Sequence, residues 1–211
     1  MTTPRPTPAA EELSELLQCA RYGEADDLAD MTKFVETYGK EWLAEARDDR
    51  GNTCLHMAGG NGHLDIVTYL LPLLPASALE IPNNAKSTPL HWISLNYHLA
   101  ILRLLCPLLP PSAFLTLNGH GKTAVQEAEE ACESWIVEEG GEKSERGRER
   151  VRREVVIGYL LGCMGLGVKK AVVEGEPEEE PEDGDEVKVG SVPKEKVEEV
   201  AEEVAKLKLN S

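Results

Sequence analysis

Aromatic side chains are scarce, 5% of 211 residues, which argues against a surface that stacks nucleic-acid bases. Basic residues are also in deficit. Twenty-two Lys and Arg stand against 38 Asp and Glu, for a formal net charge of −16. Phosphate backbones and anionic lipid repel such a chain, and a basic partner suits it. The five cysteines are odd in number and include no Cys-x-x-Cys pair, so neither a disulfide framework nor a zinc module is expected. They read as reduced thiols of a protein in the cytoplasm or nucleus. Long apolar runs are missing. The longest, Val155 to Val168, is too short to span a bilayer and reads as a helix packed in a core. Met1 to Glu12 has no apolar stretch, so no secretory signal is expected. Catalytic signatures are missing as well. There is no Gly-x-Ser-x-Gly and no phosphate-binding loop, and "GGNG" (Gly59 to Gly62) does not follow a strand. The expectation is a protein that is not an enzyme and has no cofactor and no metal site.

What the chain does have is a repeat. Thr53 and Thr88 lie 35 residues apart, as do His56 and His91, Asn61 and Asn96, and His63 and His98. "HLDIVTYLLPLLPASA" (His63 to Ala78) sits over "HLAILRLLCPLLPPSA" (His98 to Ala113) in the same register. One further period reaches Thr123. A weaker copy, Leu16 to Met31, lies upstream. Each unit reads as turn, helix, turn, helix. Thr caps the first helix and Pro suits its first turn. Leu55 and Ala58, like Leu90 and Ile93, mark its apolar face. The second helix carries Leu64, Val67, Leu70 and Leu71 at helical spacing. One such pair cannot bury its apolar face alone, so neighbours must stack. The spacing predicts an all-α solenoid over 11–167, with units at about 11–48, 49–83, 84–118 and 119–167. Residues 1–10 form a flexible N-terminus.

"TPLH" (Thr88 to His91), "TCLH" (Thr53 to His56) and "GH" (Gly62-His63) resemble the motif of the ankyrin repeat. Departures are Cys54 for Pro, Tyr97 for the glycine before His98, and Ala124, Val125 and Gln126 in the fourth unit. The resemblance implies that His56 and His91 hydrogen-bond within and between turns rather than act as catalytic bases or metal ligands. Cys54 and Cys106 read as small core hydrophobes. The resemblance also implies protein binding on the concave side, through turn tips and the inner face of the first helices. Carried onto this sequence, that face comprises Asp49, Arg50, Asn52, Asn61, Ser87, Trp92, Leu95, Asn96, His120, Lys122, Glu127 and Glu130. Trp92 and Leu95 are its expected apolar anchor, and packing between adjacent first helices is the other role open to Trp92.

The fourth unit is interrupted by a charged insertion at 138–150, with a second helix expected to begin near Arg148. Val151, Val155 and Tyr159, with Val156 and Leu160, are expected to face the core. From Glu142 to Glu154 six basic residues alternate with four glutamates. This reads as a solvated face, and a basic anchor for nucleic acid or a nuclear-localisation signal is the alternative. Over 168–192 the composition changes to an acidic, disordered linker. Glu174, Glu176, Glu178, Glu179, Glu180, Glu182, Asp183, Asp185 and Glu186 sit there with no basic residue among them. We read them as a polyanion covering positive charge on a partner, and a merely solubilising tail is the alternative. Over 193–211, Val197, Val200, Val204 and Leu207 share one face of an amphipathic helix. It could dock on the partner, dock on the repeats, or stay free.

"LHWISLN", the acidic tail and the ending "EEVAKLKLN" together resemble the fungal ankyrin-repeat chaperones dedicated to small-subunit ribosomal protein number three, the KH-domain protein of the subunit head. That resemblance implies a carrier, monomeric and bound to its client. It would keep a basic ribosomal protein from aggregating and from binding RNA early, and would deliver it for ribosome assembly in the nucleus. No direct nucleic-acid or membrane contact is implied. A general scaffold in signalling or transcription and a regulatory subunit of an enzyme are the alternatives from other classes.

Overall fold

Three turns set the frame of the chain, and each is built on one side chain. Asp48, Asn83 and Asn118 recur every 35 residues. Asp48 Oδ1 accepts from the N–H groups of Arg50 (2.9 Å) and Asn52 (2.7 Å). Asn83 Oδ1 does the same for Ala85 and Ser87, and Asn118 Oδ1 for His120 and Lys122. A short polar side chain that bonds its own backbone two and four residues on closes a tight turn without a strand ladder. The computed structural model describes residues 6–133 and 145–166, and side chains within 6–130 and 151–166.

Among the described residues the structure is all α, with no strand. The first unit holds α1 (Ala10–Tyr22), α2 (Asp27–Tyr38) and the one-turn α3 (Trp42–Glu45). The second holds α4 (Cys54–Asn61) and α5 (Leu64–Leu70). The third holds α6 (Pro89–Leu95) and α7 (Leu99–Leu105), and the fourth α8 (Ala124–Glu133) and α9 (Glu145–Cys163). The first helices stack in the order α1, α4, α6, α8. Behind them α5, α7 and α9 stack in a second row. The core runs between the rows. Leu55, Ala58, Leu90 and Ile93 join Ile66, Val67, Leu70, Ile101, Leu102 and Leu105 in one buried cluster.

The short helices form because both ends are specified. Thr53 and Thr88 cap α4 and α6 in reciprocal boxes with His56 and His91. At the far end of α4, Gly62 takes φ +87°, and a Cβ there would lie 2.6 Å from the His98 ring. Glycine is therefore required both by the backbone and by the next unit's histidine. Tyr97, at the equivalent position, also has positive φ (57°). In the sequence, Glu133 stands one period after His98 where the following unit would have its histidine. The Tyr97 hydroxyl donates to Ala128 O at 3.0 Å, and its ring face covers the Arg153 guanidinium at 4.8 Å. A residue that breaks the motif thus bolts the divergent fourth unit onto the third.

The fourth unit corrects part of the sequence reading. Helix α9 starts at Glu145, three residues before Arg148, so the later part of the expected 138–150 insertion is helical. Val156 and Leu160 are fully buried, Val155 and Tyr159 only partly, and Val151 is 48% exposed. The helix is rolled so that Val156 and Leu160, with Arg153 one turn earlier, form the packed stripe. Val151 lies to the side of that stripe, contrary to the expectation that it faces the core. No helix among the described residues is long and apolar enough to cross a membrane.

Candidate protein-binding face

A ladder of hydrogen bonds fixes the concave face. His56 is fully buried. Its Nδ1 accepts from Thr53 Oγ1 at 2.9 Å and from Thr53 N at 3.2 Å. Its Nε2 donates to Ser87 O in the next unit at 2.9 Å. A carbonyl can only accept and a backbone N–H can only donate, so the ring is neutral with its proton on Nε2. Burial also pushes its pKa down, to about 4. His91 repeats the arrangement with Thr88 and Lys122 O, and burial lowers its pKa as well. Neither ring has a site open to a substrate. A second ladder joins the inter-helix turns: His63 Nε2 donates to Arg21 O and His98 Nε2 to Gly60 O. No cluster of three or more metal-ligating side chains occurs among the described residues.

The turn tips are tied in register. Asn84 N donates to Arg50 O at 2.9 Å, and Gly119 N to Ala85 O at 2.7 Å. Asn83 Nδ2 donates to Asn52 Oδ1, and Asn52 Nδ2 to Asp48 Oδ2. This removes two residues from the expected partner face. Asn52 is 1% exposed and Ser87 6%. The Asn52 amide is spent inside the turn, and the Ser87 carbonyl receives His56. They shape the face and do not present side chains to a partner.

Asp49, Arg50 and His120 are exposed at the turn tips. Leu95, at the end of α6, is 39% exposed. Trp92 is half-buried, edge-on to His56 with ring centroids 5.8 Å apart. The flank of its ring lies over Gly60, where a Cβ would come within 2.8 Å of Cε3. Trp92 thus packs between adjacent first helices, against α4, and remains partly accessible. Asn61 and Asn96 are exposed but already bonded, to Arg21 O and Trp92 O. Lys122 pairs with Glu130, and Glu127 receives Asn118 Nδ2 at 2.6 Å. The free part of the face is thus Asp49, Arg50, His120, Leu95 and the open side of Trp92. Glu174 to Glu186 and the expected helix at 193–211 lie outside the described residues.

One surface escaped the sequence reading. Between α1 and α2, at the open end of the stack, lies a groove of about 690 Å³. Met31, Phe34 and Leu16 form its floor, and Glu12, Glu15, Glu24, Asp27 and Asp30 its rim. The Tyr38 hydroxyl donates to Glu12, which lowers the carboxyl's pKa and raises the phenol's. The signal was available as acids three residues apart on two amphipathic helices. The weakness of the first repeat hid it.

Turn, capped helix, glycine or tyrosine break and second helix, stacked in parallel rows, make up an ankyrin-repeat fold over the described units. Residues 16–118 match the ankyrin-repeat family model in three copies. The fold is also similar to the crystal structure of the yeast ribosomal protein Rps3 in complex with its chaperone Yar1. The identity is 27% and the TM-score 0.52, over 64% of this chain and 99% of that one. No curated protein matches the chain.

Proposed function

We propose that the protein is a dedicated, non-enzymatic carrier for a basic small-subunit ribosomal protein, the one called Rps3 in yeast. The carrying observation is the likeness to the Rps3–Yar1 complex, which spans nearly the whole of the compared chain. Charge supports it. A free ribosomal protein is strongly basic and binds RNA through released counterions. A carrier of net charge −16 competes with RNA for that surface until assembly supplies a tighter partner. In this reading Trp92 and Leu95 anchor the client, and Asp49, Arg50 and His120 set its orientation. The polyanion from Glu174 to Glu186 covers the client's remaining positive charge. The carrier works as a monomer bound to one client, in the cytoplasm and the nucleus.

Affinity purification from a eukaryotic extract at moderate salt tests this. The expected result is one dominant basic ribosomal protein, depleted when Leu95→Ser is combined with deletion of 174–186. A broad or non-basic set of partners, or one indifferent to both changes, would leave only a general scaffold.

A further inference from the structure

The end of a solenoid has no neighbour to stack on, so its outer surface must be polar. The first unit meets that need unevenly. Helix α1 packs against α4 and α2, and α1 and α2 leave between them the groove of about 690 Å³. Two helical stripes line it. Glu12, Glu15, Cys19 and Tyr22 run along α1. Asp27, Asp30, Phe34 and Tyr38 run along α2. The helices are antiparallel, because the Tyr38 hydroxyl at the end of α2 donates to Glu12 near the start of α1. Glu12 and Glu15 therefore sit towards one end of the groove, and Glu24, Asp27 and Asp30 towards the other. From Glu12 to Tyr22 the helix rises roughly 15 Å at 1.5 Å per residue. Leu16, Met31 and Phe34 lie between the acidic ends. Phe34 is half-buried and Tyr22 is 58% exposed.

The rim carries charge of almost one sign. Glu12 receives Ala9 N at 2.6 Å as well as the Tyr38 hydroxyl, and Asp27 receives Glu24 N at 2.7 Å. Glu15, Glu24 and Asp30 are exposed, and their carboxylates have no hydrogen bond or ion pair among the described residues. Lys33 is the one basic residue among the described residues of the lining. Arg21 lies over the Tyr22 ring at 5.6 Å, outside the lining. A surface shaped only for solubility intersperses both signs. Five carboxylates against one lysine, around an apolar floor between two helices, instead match a site that takes a helix into a groove.

We propose that this groove is a second docking site for the client and takes a basic amphipathic helix of that protein, an inference that rests on the carrier reading above. An apolar stripe at helical spacing lies over Phe34 and Tyr22. Lys or Arg side chains roughly ten residues apart meet the acids at the two ends. Charge complementarity selects this occupant. A second copy of the chain, with its net charge of −16, brings like charge to the rim. The client is thus held at two places, on the concave face and at the open end of the stack.

Glu15→Lys combined with Asp30→Lys tests the site in the 211-residue chain. Both positions are exposed, so the unfolding midpoint should not fall. Affinity for the purified basic ribosomal protein, read by calorimetry, should drop roughly tenfold. Glu45→Lys with Asp65→Lys reverses two exposed acids off the groove and should change affinity by roughly twofold or less. A photo-crosslinking phenylalanine analogue at position 22 should capture one client segment, with Lys or Arg on both sides of an apolar stripe. Client binding that Glu15→Lys with Asp30→Lys leaves unchanged, or that the control pair weakens equally, would overturn the groove and leave the carrier reading standing. Capture of a non-basic client segment, of this chain itself, or of nothing would do the same. No client binding by the native chain would overturn the carrier reading, and the groove would lose its occupant with it.

Discussion

His56 shows how a residue that looks chemical becomes architectural. It fills a dry site, bonds Thr53 on one side and Ser87 O on the other, and is held neutral by burial. Unfolded chains take up a proton on this ring below about 6.5, whereas the folded protein does so only near 4. The stability it contributes is therefore complete above pH 6.5 and is lost as pH falls towards 4. Relief of the protein's negative charge acts in the opposite direction, so the test is a comparison. Between pH 7 and pH 5 the native protein should lose about 2 kcal/mol more stability than His56→Gln, by denaturant unfolding. Equal losses would contradict the assignment of a neutral, buried ring. Gly62 makes a second residue-scale prediction. Alanine there meets both positive φ and the His98 ring. Gly62→Ala should cost more than about 1 kcal/mol, with a lowered unfolding midpoint. Gly121, with positive φ but open space around its Cβ, should cost less on the same change.

Between elements, the two middle units were legible because every signal repeats. Thr88, His91 and His98 each have a partner 35 residues upstream, and cap, core and inter-unit bond all depend on them. The end units were only partly legible because each stacks on one side and needs only half the pattern. Helix α9 shows the cost. Its apolar residues run 155, 156, 157, 159, 160 and 161, which fits more than one face. Packing against α7 and α8 selects Val156 and Leu160. Leu160→Ala should therefore cost about 2–5 kcal/mol, and Val151→Ala well under 1 kcal/mol. Thermal unfolding of the two variants separates the observed roll from the one read in the sequence. The candidate face was legible as a row of positions. Which of them stay free was not, since the bonds of Asn52, Asn61, Asn96 and Glu127 depend on neighbouring units.

At the scale of the whole molecule, two properties meet: a rigid stack with one small apolar anchor, and a large excess of negative charge. In the proposed carrier the anchor would give register and the charge reach, and salt distinguishes them. If the proposed carrier reading holds, a deletion of 174–186 should lower the rate of association with a basic client and flatten its salt dependence, while the dissociation rate, assigned in that reading to Trp92 and Leu95, should change less. Stopped-flow binding at two ionic strengths reads both.

The most direct test of the account is the equilibrium affinity of the 211-residue chain for the purified basic ribosomal protein, measured by calorimetry beside Leu95→Ser. The account predicts a one-to-one complex, weakened at least tenfold by the substitution and further by salt. No binding, or binding that Leu95→Ser leaves unchanged, would contradict it.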